Sequence, residues 1–353
     1  MNKAITLQGA GRGATIIEIS PSAGSYASGT IRISAAAVVR RFTIRTSTTS
    51  SRTAFSASAN GFRITDIEYT DQSEANSGYF LYAGSYGLVD NCSITGGRGD
   101  MELIFARGPT DSWQTAHSIG GAGNLFIENN TFAGSGYVSD CNSNSRCVLR
   151  YNTITGPMKI DGHGKASNTP PRGVRHMEVY NNLWTATGLF WTAIELRGGG
   201  GRVFNNSALA GSSGAWAFLT EYGAESTWPN FGSVCQCPSN YPIDDQVGVG
   251  KDPKVAASEP MYLWNNIRSG VEWTLGSKST NRCTATCGAY VITDIVQPGR
   301  DYFMSASKPA AMAGYQPFTC PHPLVGPGTC DTAAGRDGYS IAPSPPTGVR
   351  VRP

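Results

Sequence analysis

Phe126-Ile127-Glu128-Asn129-Asn130-Thr131-Phe132 is one copy of a pattern that recurs along the chain. It returns as Leu88-Val89-Asp90-Asn91-Cys92-Ser93-Ile94, Val148-Leu149-Arg150-Tyr151-Asn152-Thr153-Ile154 and Glu178-Val179-Tyr180-Asn181-Asn182-Leu183-Trp184. Arg202-Val203-Phe204-Asn205-Asn206-Ser207 and Tyr262-Leu263-Trp264-Asn265-Asn266-Ile267 continue it. Weaker copies lie at Phe62-Arg63-Ile64-Thr65-Asp66-Ile67 and Val38-Val39-Arg40-Arg41-Phe42-Thr43-Ile44. Measured at the second Asn slot (Phe42, Ile67, Cys92, Asn130, Asn152, Asn182, Asn206, Asn266), the intervals are 25, 25, 38, 22, 30, 24 and 60 residues. A base period of about 22 to 25 residues is one coil of a parallel β-helix, with coils stacked at the ~4.8 Å strand spacing. The intervals of 38, 30 and 60 then carry insertions. Asn suits the turn because it tolerates left-handed backbone angles and can hydrogen-bond its equivalent one coil away. These residues are therefore expected to form a ladder, and Phe132, Ile154 and Trp184 to stack in the core.

Composition agrees. At 353 residues the chain exceeds the usual single-core size, but a solenoid grows by adding layers. Gly is abundant (43) and charged residues make up only 15%, which favours many short strands with turns over long exposed helices. A net charge of +3 from scattered Lys and Arg does not mark a nucleic-acid binder, though it suits an acidic ligand such as a uronate polymer. No apolar run approaches the ~20 residues of a membrane span.

Nine cysteines include the close pairs Cys141/Cys147, Cys283/Cys287 and Cys320/Cys330, with Cys235 and Cys237 nearby and Cys92 as the odd one inside a repeat. None has a zinc spacing with histidines, so disulfides in an oxidising compartment are expected. Met1-Asn2-Lys3 runs at once into Ala4-Ile5-Thr6-Leu7, as if mid-coil, so a signal and an N-terminal cap are expected to have preceded it. Pro343-Ser344-Pro345-Pro346-Thr347 reads as a linker. The expected organisation is a β-helix domain over 1–342, loop-rich from about 271, and a Pro-rich tail over 343–353.

The early coil Ile5-Thr6-Leu7-Gln8-Gly9-Ala10-Gly11 with Thr15-Ile16-Ile17, and the Asn-Asn coils, resemble bacterial secreted proteins of the pectate-lyase-like superfamily. The run Gly299-Arg300-Asp301-Tyr302-Phe303, Gly314-Tyr315-Gln316-Pro317-Phe318 and Pro321-His322-Pro323-Leu324 is similar to a tail found on many of them. The resemblance implies an all-β, single-stranded, right-handed parallel β-helix. It does not imply one activity, since the superfamily includes lyases, hydrolases, esterases, epimerases and tailspikes.

Chemistry is sought by aligning the second strand of each coil. Leu103–Gly108, Pro157–Gly162, Ala193–Gly198 and Phe218–Gly223 each end in a polar residue before Gly, and Gly136–Asp140 joins them less regularly. The predicted column is Arg107, Asp140, Asp161, Arg197 and Tyr222, flanked by Lys159, His163, Glu195 and Glu221. The insertions, placed after Gly96-Gly97, over Gly156 to Arg175 and over Ser212 to Pro260, would wall a groove beside it. Gly162-His163-Gly164 resembles the Gly-His-Gly motif of polygalacturonases, whose acidic motifs are not found at the expected places. Arg172 and Arg175 follow in the same insertion, and arginine can neutralise a uronate carboxylate or, in pectate lyases, take the C5 proton.

The expected activity is cleavage of an extracellular acidic polysaccharide, with β-elimination ahead of hydrolysis by paired carboxylates and of glycan binding without cleavage. His163, Asp161, Arg197, Glu195 and Arg175 are the catalytic candidates. Arg107, Asp140, Lys159, Arg172, Glu221, Tyr222, Trp113 and Trp191 are the substrate-binding ones, the tryptophans by stacking on sugar rings. Calcium is the one cofactor considered, on Asp140, Asp161 and Glu195. The expected partner is a polysaccharide, with neither nucleic acid nor membrane, bound by a secreted or periplasmic monomer.

Overall fold

The structure is a computed structural model that describes residues 1–19, 29–46, 53–71, 79–96, 102–165, 172–185, 192–208, 215–219 (backbone only), 237–253, 255–277 and 287–326. The chain coils into a parallel β-helix. One sheet of nine strands takes one strand from each coil, and a second sheet of 18 takes the segments on either side of the Asn-Asn corner. A representative coil runs Gly136–Cys141 in the short sheet, turns, and enters the long sheet as Arg146–Arg150. It bends at Tyr151, continues as Thr153–Ile154, and returns to the short sheet as Met158–Gly162. Each strand pairs in parallel with its counterparts one coil before and after.

The two residues of the Asn pair divide the work. The first holds the left-handed conformation, with φ of 53° at Asn91, 55° at Asn129, 56° at Asn181, 53° at Asn205 and 49° at Asn265. Arg41, Asp66 and Tyr151 occupy the same corner at φ of 65°, 53° and 58°, so the bend does not need Asn. The second residue makes the ladder. Asn130 Nδ2 donates to Asn152 Oδ1 at 3.1 Å, Asn152 to Asn182 at 2.9 Å, Asn182 to Asn206 at 3.0 Å and Asn206 to Asn266 at 2.9 Å. The backbone N–H of each donor residue reaches the same oxygen, and its second amide hydrogen goes to a carbonyl of the preceding coil. Every one of these amides is buried, so the ladder satisfies backbone donors that water cannot reach. Cys92 sits at its N-terminal end as a buried free thiol, its N–H bonded to Asn130 Oδ1 at 2.9 Å.

The core fills the space between the sheets. Phe132, Ile154 and Trp184 stack in register, each fully buried, and Trp184 meets Trp273 edge-on at 5.8 Å. A second apolar cluster covers the outer face of the long sheet, where Tyr180, Phe204 and Trp264 stack with centroids 4.6 and 4.4 Å apart. Residues 306–326 run back over that face. Tyr315 meets Phe204 and Trp264, Phe318 and His322 meet Phe126, and Arg150 donates to the carbonyls of Phe318 (2.7 Å) and Thr319 (3.1 Å).

Cys141 bonds Cys147 across a short corner. Cys237 bonds Cys287, a pairing 50 residues apart in sequence, so Cys287 does not pair with its neighbour Cys283. Cys235, Cys283 and Cys330 lie outside the described residues, as does 343–353. Disulfides suit an oxidising, extracytoplasmic compartment. Among the described residues no helix is long and apolar enough to cross a membrane.

Candidate active site

The outward face of the short sheet carries the polar residues, in an arrangement that corrects the sequence alignment. Tyr82, Phe105, Asp140, Asp161 and Glu195 form one column through successive coils. Two residues further along each strand the backbone pairing places Arg107, Asn142, His163 and Arg197 in a second column. The predicted single column therefore mixes two. The cause is glycine serving two purposes. Gly108 and Gly198 lie in corners, where a Cβ would meet Asn144 O at 2.0 Å and Asp245 O at 2.5 Å. Gly162 lies inside the strand, where a Cβ would strike Met177 Sδ at 2.2 Å. Aligning on the glycine thus displaced Asp161 by two residues. The irregular coil has its own cause: a bulge between Tyr137 and Ser139 restores the register so that Asp140 faces Asp161.

Three carboxylates on adjacent strands would repel one another without compensation. Arg197 supplies it to Asp161, binding Oδ1 through Nε at 3.0 Å and Oδ2 through Nη2, and it lies 3.8 Å from Glu195 Oε1. Lys159 pairs with Glu195 Oε2 and rests over the Tyr137 ring at 4.1 Å. Asp140 is left with Asn142, whose Nδ2 donates to Oδ2 at 3.1 Å, while Oδ1 is buried with no hydrogen-bond partner among the described residues. Burial first, then the charges of Asp161 and Glu102, raise the Asp140 pKa well above the ordinary carboxylate value, and Arg197 opposes this only in part. These groups are almost entirely covered: Lys159 and Asp161 are 0% exposed, Glu195 2%, Asp140 3% and Arg197 4%.

His163 Nδ1 lies 2.8 Å from Gly164 O in its own turn, which fixes the Nδ1–H tautomer. Burial and the neighbouring Arg197 lower its pKa to about 3, so the imidazole is neutral and weakly basic. Arg107 donates from Nη1 to Tyr82 Oη at 2.6 Å.

The insertions all leave one corner, between the short sheet and the first long-sheet strand. The 38-residue interval therefore carries its insertion between Arg107 and Asn124 rather than directly after Gly97. Trp113, expected to stack on sugar, is buried inside these loops, with Arg172 and Arg175 over its ring at 4.6 and 5.1 Å and its Nε1 donating to Gly173 O at 3.1 Å. Arg172 binds Asp245 through Nε (2.7 Å) and Asp252 through Nη1 (2.7 Å). Arg175, fully buried, binds Glu259 and the carbonyls of Ser112 and Thr115. The structure thus places Trp113, Arg172 and Arg175 in a loop anchor separate from the carboxylate column. Glu221, Tyr222 and Trp191 lie outside the described residues. Among the described residues no cluster of three or more His, Cys, Asp or Glu is arranged to hold a metal ion, and the oxygens expected to hold calcium face Asn142, Arg197 and Lys159. Sequence reading missed Tyr82 and Phe105, whose signal was their place in the same column, and Asn142, which donates to Asp140.

No family model, curated protein or solved structure matches the chain.

Proposed function

We propose that this chain is a secreted β-helix of the pectate-lyase-like kind that hydrolyses glycosidic bonds in an extracellular acidic polysaccharide, with Asp140 as the proton donor. The observation that carries this reading is the contrast between register partners. Asp140 is buried, its pKa is raised well above the ordinary carboxylate value and one of its oxygens has no partner among the described residues, whereas Asp161 is bound through both oxygens to Arg197. A carboxyl group with a raised pKa beside a carboxylate held by a cation is the kind of pair that glycoside hydrolysis uses. The Asp140 proton passes to the leaving glycosidic oxygen as the bond to the anomeric carbon breaks. In the double-displacement form of this chemistry the second carboxylate, here Asp161 on the adjacent strand, attacks that carbon. Water then cleaves the glycosyl ester, giving its proton to Asp140, and Arg197 orients Asp161 throughout.

β-Elimination fits the geometry less well. His163 is a weak base turned to its own loop, and Arg172, Arg175 and Arg197 are each bound to carboxylates. A second reading, glycan binding without cleavage, is favoured by the cover over the column and the pairing of its charges. Both are tested by incubating the protein with pectate, alginate, glycosaminoglycan and neutral glucan or xylan, with and without calcium. Reducing ends without absorbance at about 235 nm, lost in Asp140→Asn, are the expected result. A rise in both signals would transfer the protein to the lyases. Silence on every polymer would leave only binding.

A further inference from the structure

We infer that the N-terminal end of the same sheet holds a binding subsite for one uronate unit of the polymer, formed by Tyr79, Tyr82, Phe105 and Arg107, an inference that rests on the proposed activity. The column that carries the carboxylates begins as an aromatic stack. Tyr82 and Phe105 lie ring on ring, 5.4 Å between centroids at 10°, and Tyr79 completes the group 5.4 Å from Phe105 and 6.0 Å from Tyr82. All three are partly exposed, in contrast with the covered carboxylates and with buried Trp113. Phe105 is the direct register partner of Asp140, so a chain held on this platform continues over the proposed proton donor.

Charge decides which sugar fits. Lys159, Arg172, Arg175 and Arg197 are each paired with a carboxylate. For Arg107 the contacts are the Tyr82 hydroxyl, at 2.6 Å, and the Tyr82 ring, 5.9 Å from its guanidinium carbon, with no carboxylate partner among the described residues. Further along the column Arg197 and Lys159 pair with Asp161 and Glu195, so Arg107 is the guanidinium of this face that no carboxylate among the described residues engages. An aromatic platform takes the apolar face of a pyranose, and an unpaired guanidinium takes a carboxylate through two hydrogen bonds. A neutral sugar would leave Arg107 unused. Tyr82 holds the guanidinium beside the aromatic group, so that one ligand unit can meet both the rings and the charge.

The test is affinity electrophoresis of the full chain through gels containing polygalacturonate or neutral xylan, with reducing-end release measured in parallel. Polygalacturonate is expected to retard the wild type and xylan to leave it unaffected. Arg107→Gln should weaken retardation about tenfold, the scale of one charge-assisted hydrogen bond. Phe105→Ala should weaken it about three- to tenfold, the scale of a lost aromatic contact. Tyr82→Phe, which keeps the ring and removes the hydroxyl that positions Arg107, should fall between these and the wild type, and unchanged melting temperatures would exclude misfolding. Unchanged retardation in Arg107→Gln and Phe105→Ala overturns the subsite even if the wild type cleaves, as does a wild type that polygalacturonate does not retard. Retardation lost in both variants of a protein that cleaves nothing upholds the subsite and overturns the hydrolysis.

Discussion

Arg197→Met probes why charges stand in the covered column. Methionine keeps most of the side chain's length and apolar stem but removes the guanidinium that binds both oxygens of Asp161. Asp161 is 0% exposed, so the loss leaves a carboxylate without water or partner. Removing one member of a buried pair typically costs about 3–5 kcal/mol, whereas replacing both members is often neutral. The single variant is therefore expected to lose about 3–5 kcal/mol, and Asp161→Leu/Arg197→Met to lie within about 1 kcal/mol of the wild type. Urea unfolding followed by tryptophan fluorescence at pH 7 measures both, with an unchanged urea slope showing that the same cooperative unit unfolds. A single variant within about 0.5 kcal/mol of the wild type would refute the reasoning, because a loss that small belongs to a solvent-screened pair.

Asp140→Asn should abolish cleavage without destabilising the fold. The raised Asp140 pKa contributes stability that is full at acid pH and lost as pH rises through it, so the Asn variant should gain on the wild type with rising pH in melting scans from about pH 4 to 9. His163 has the opposite sign. With its value lowered from 6.5 to about 3, its contribution is present above the ordinary histidine value and lost as pH falls between the two, and the urea midpoint of His163→Asn should lack that acid limb. Asn182→Ala removes the acceptor of both the Asn152 N–H and the Asn152 Nδ2, and leaving two buried donors unpaired should cost about 2–5 kcal/mol by urea denaturation. A cost below about 1 kcal/mol would show that water or a backbone shift replaces the ladder there.

The solenoid was legible because its signal is repeated and local. The ladder bonds span 38, 22, 30, 24 and 60 residues, the same intervals that separate the second Asn slots in the sequence. What Asn does in the corner was less legible, since the bend falls on its first residue and Arg41, Asp66 and Tyr151 bend there equally well. The short sheet offers no such marker. Its register depends on how many residues each corner consumes and on a bulge near Val138, and a glycine packed against Met177 looks in sequence like one that turns a corner. Trp113 was misjudged because an insertion reads as exposed until the loops are seen packing on one another. Asp252 N donates to Trp113 O at 2.7 Å, and Arg172 joins Asp245 to Asp252 across the same ring. The Cys237–Cys287 bond is a contact of the same kind, long in sequence and set by how loops of distant origin meet.

Stability alone does not account for the carboxylate column. Alternating strands need apolar side chains toward the core and place no demand for charge on the opposite face. The long sheet combines the two solutions: an apolar cluster and the tail cover its outward face, and among them lie the buried pair Arg150–Glu128 and the part-buried pair Arg63–Asp90. On the short sheet, Asp140, Asp161, Glu195, Lys159 and Arg197 are nearly as well covered, yet they are charged or titratable. Buried ion pairs of this kind can usually be exchanged for apolar groups at no cost, so the column gains the fold little that leucine and phenylalanine would not supply. Asp140 is costlier still, a buried acid with one oxygen that no described residue satisfies. Along this column an acid whose pKa burial raises stands between a paired carboxylate and an aromatic stack, the order that the proposed cleavage of a stacked sugar chain would use.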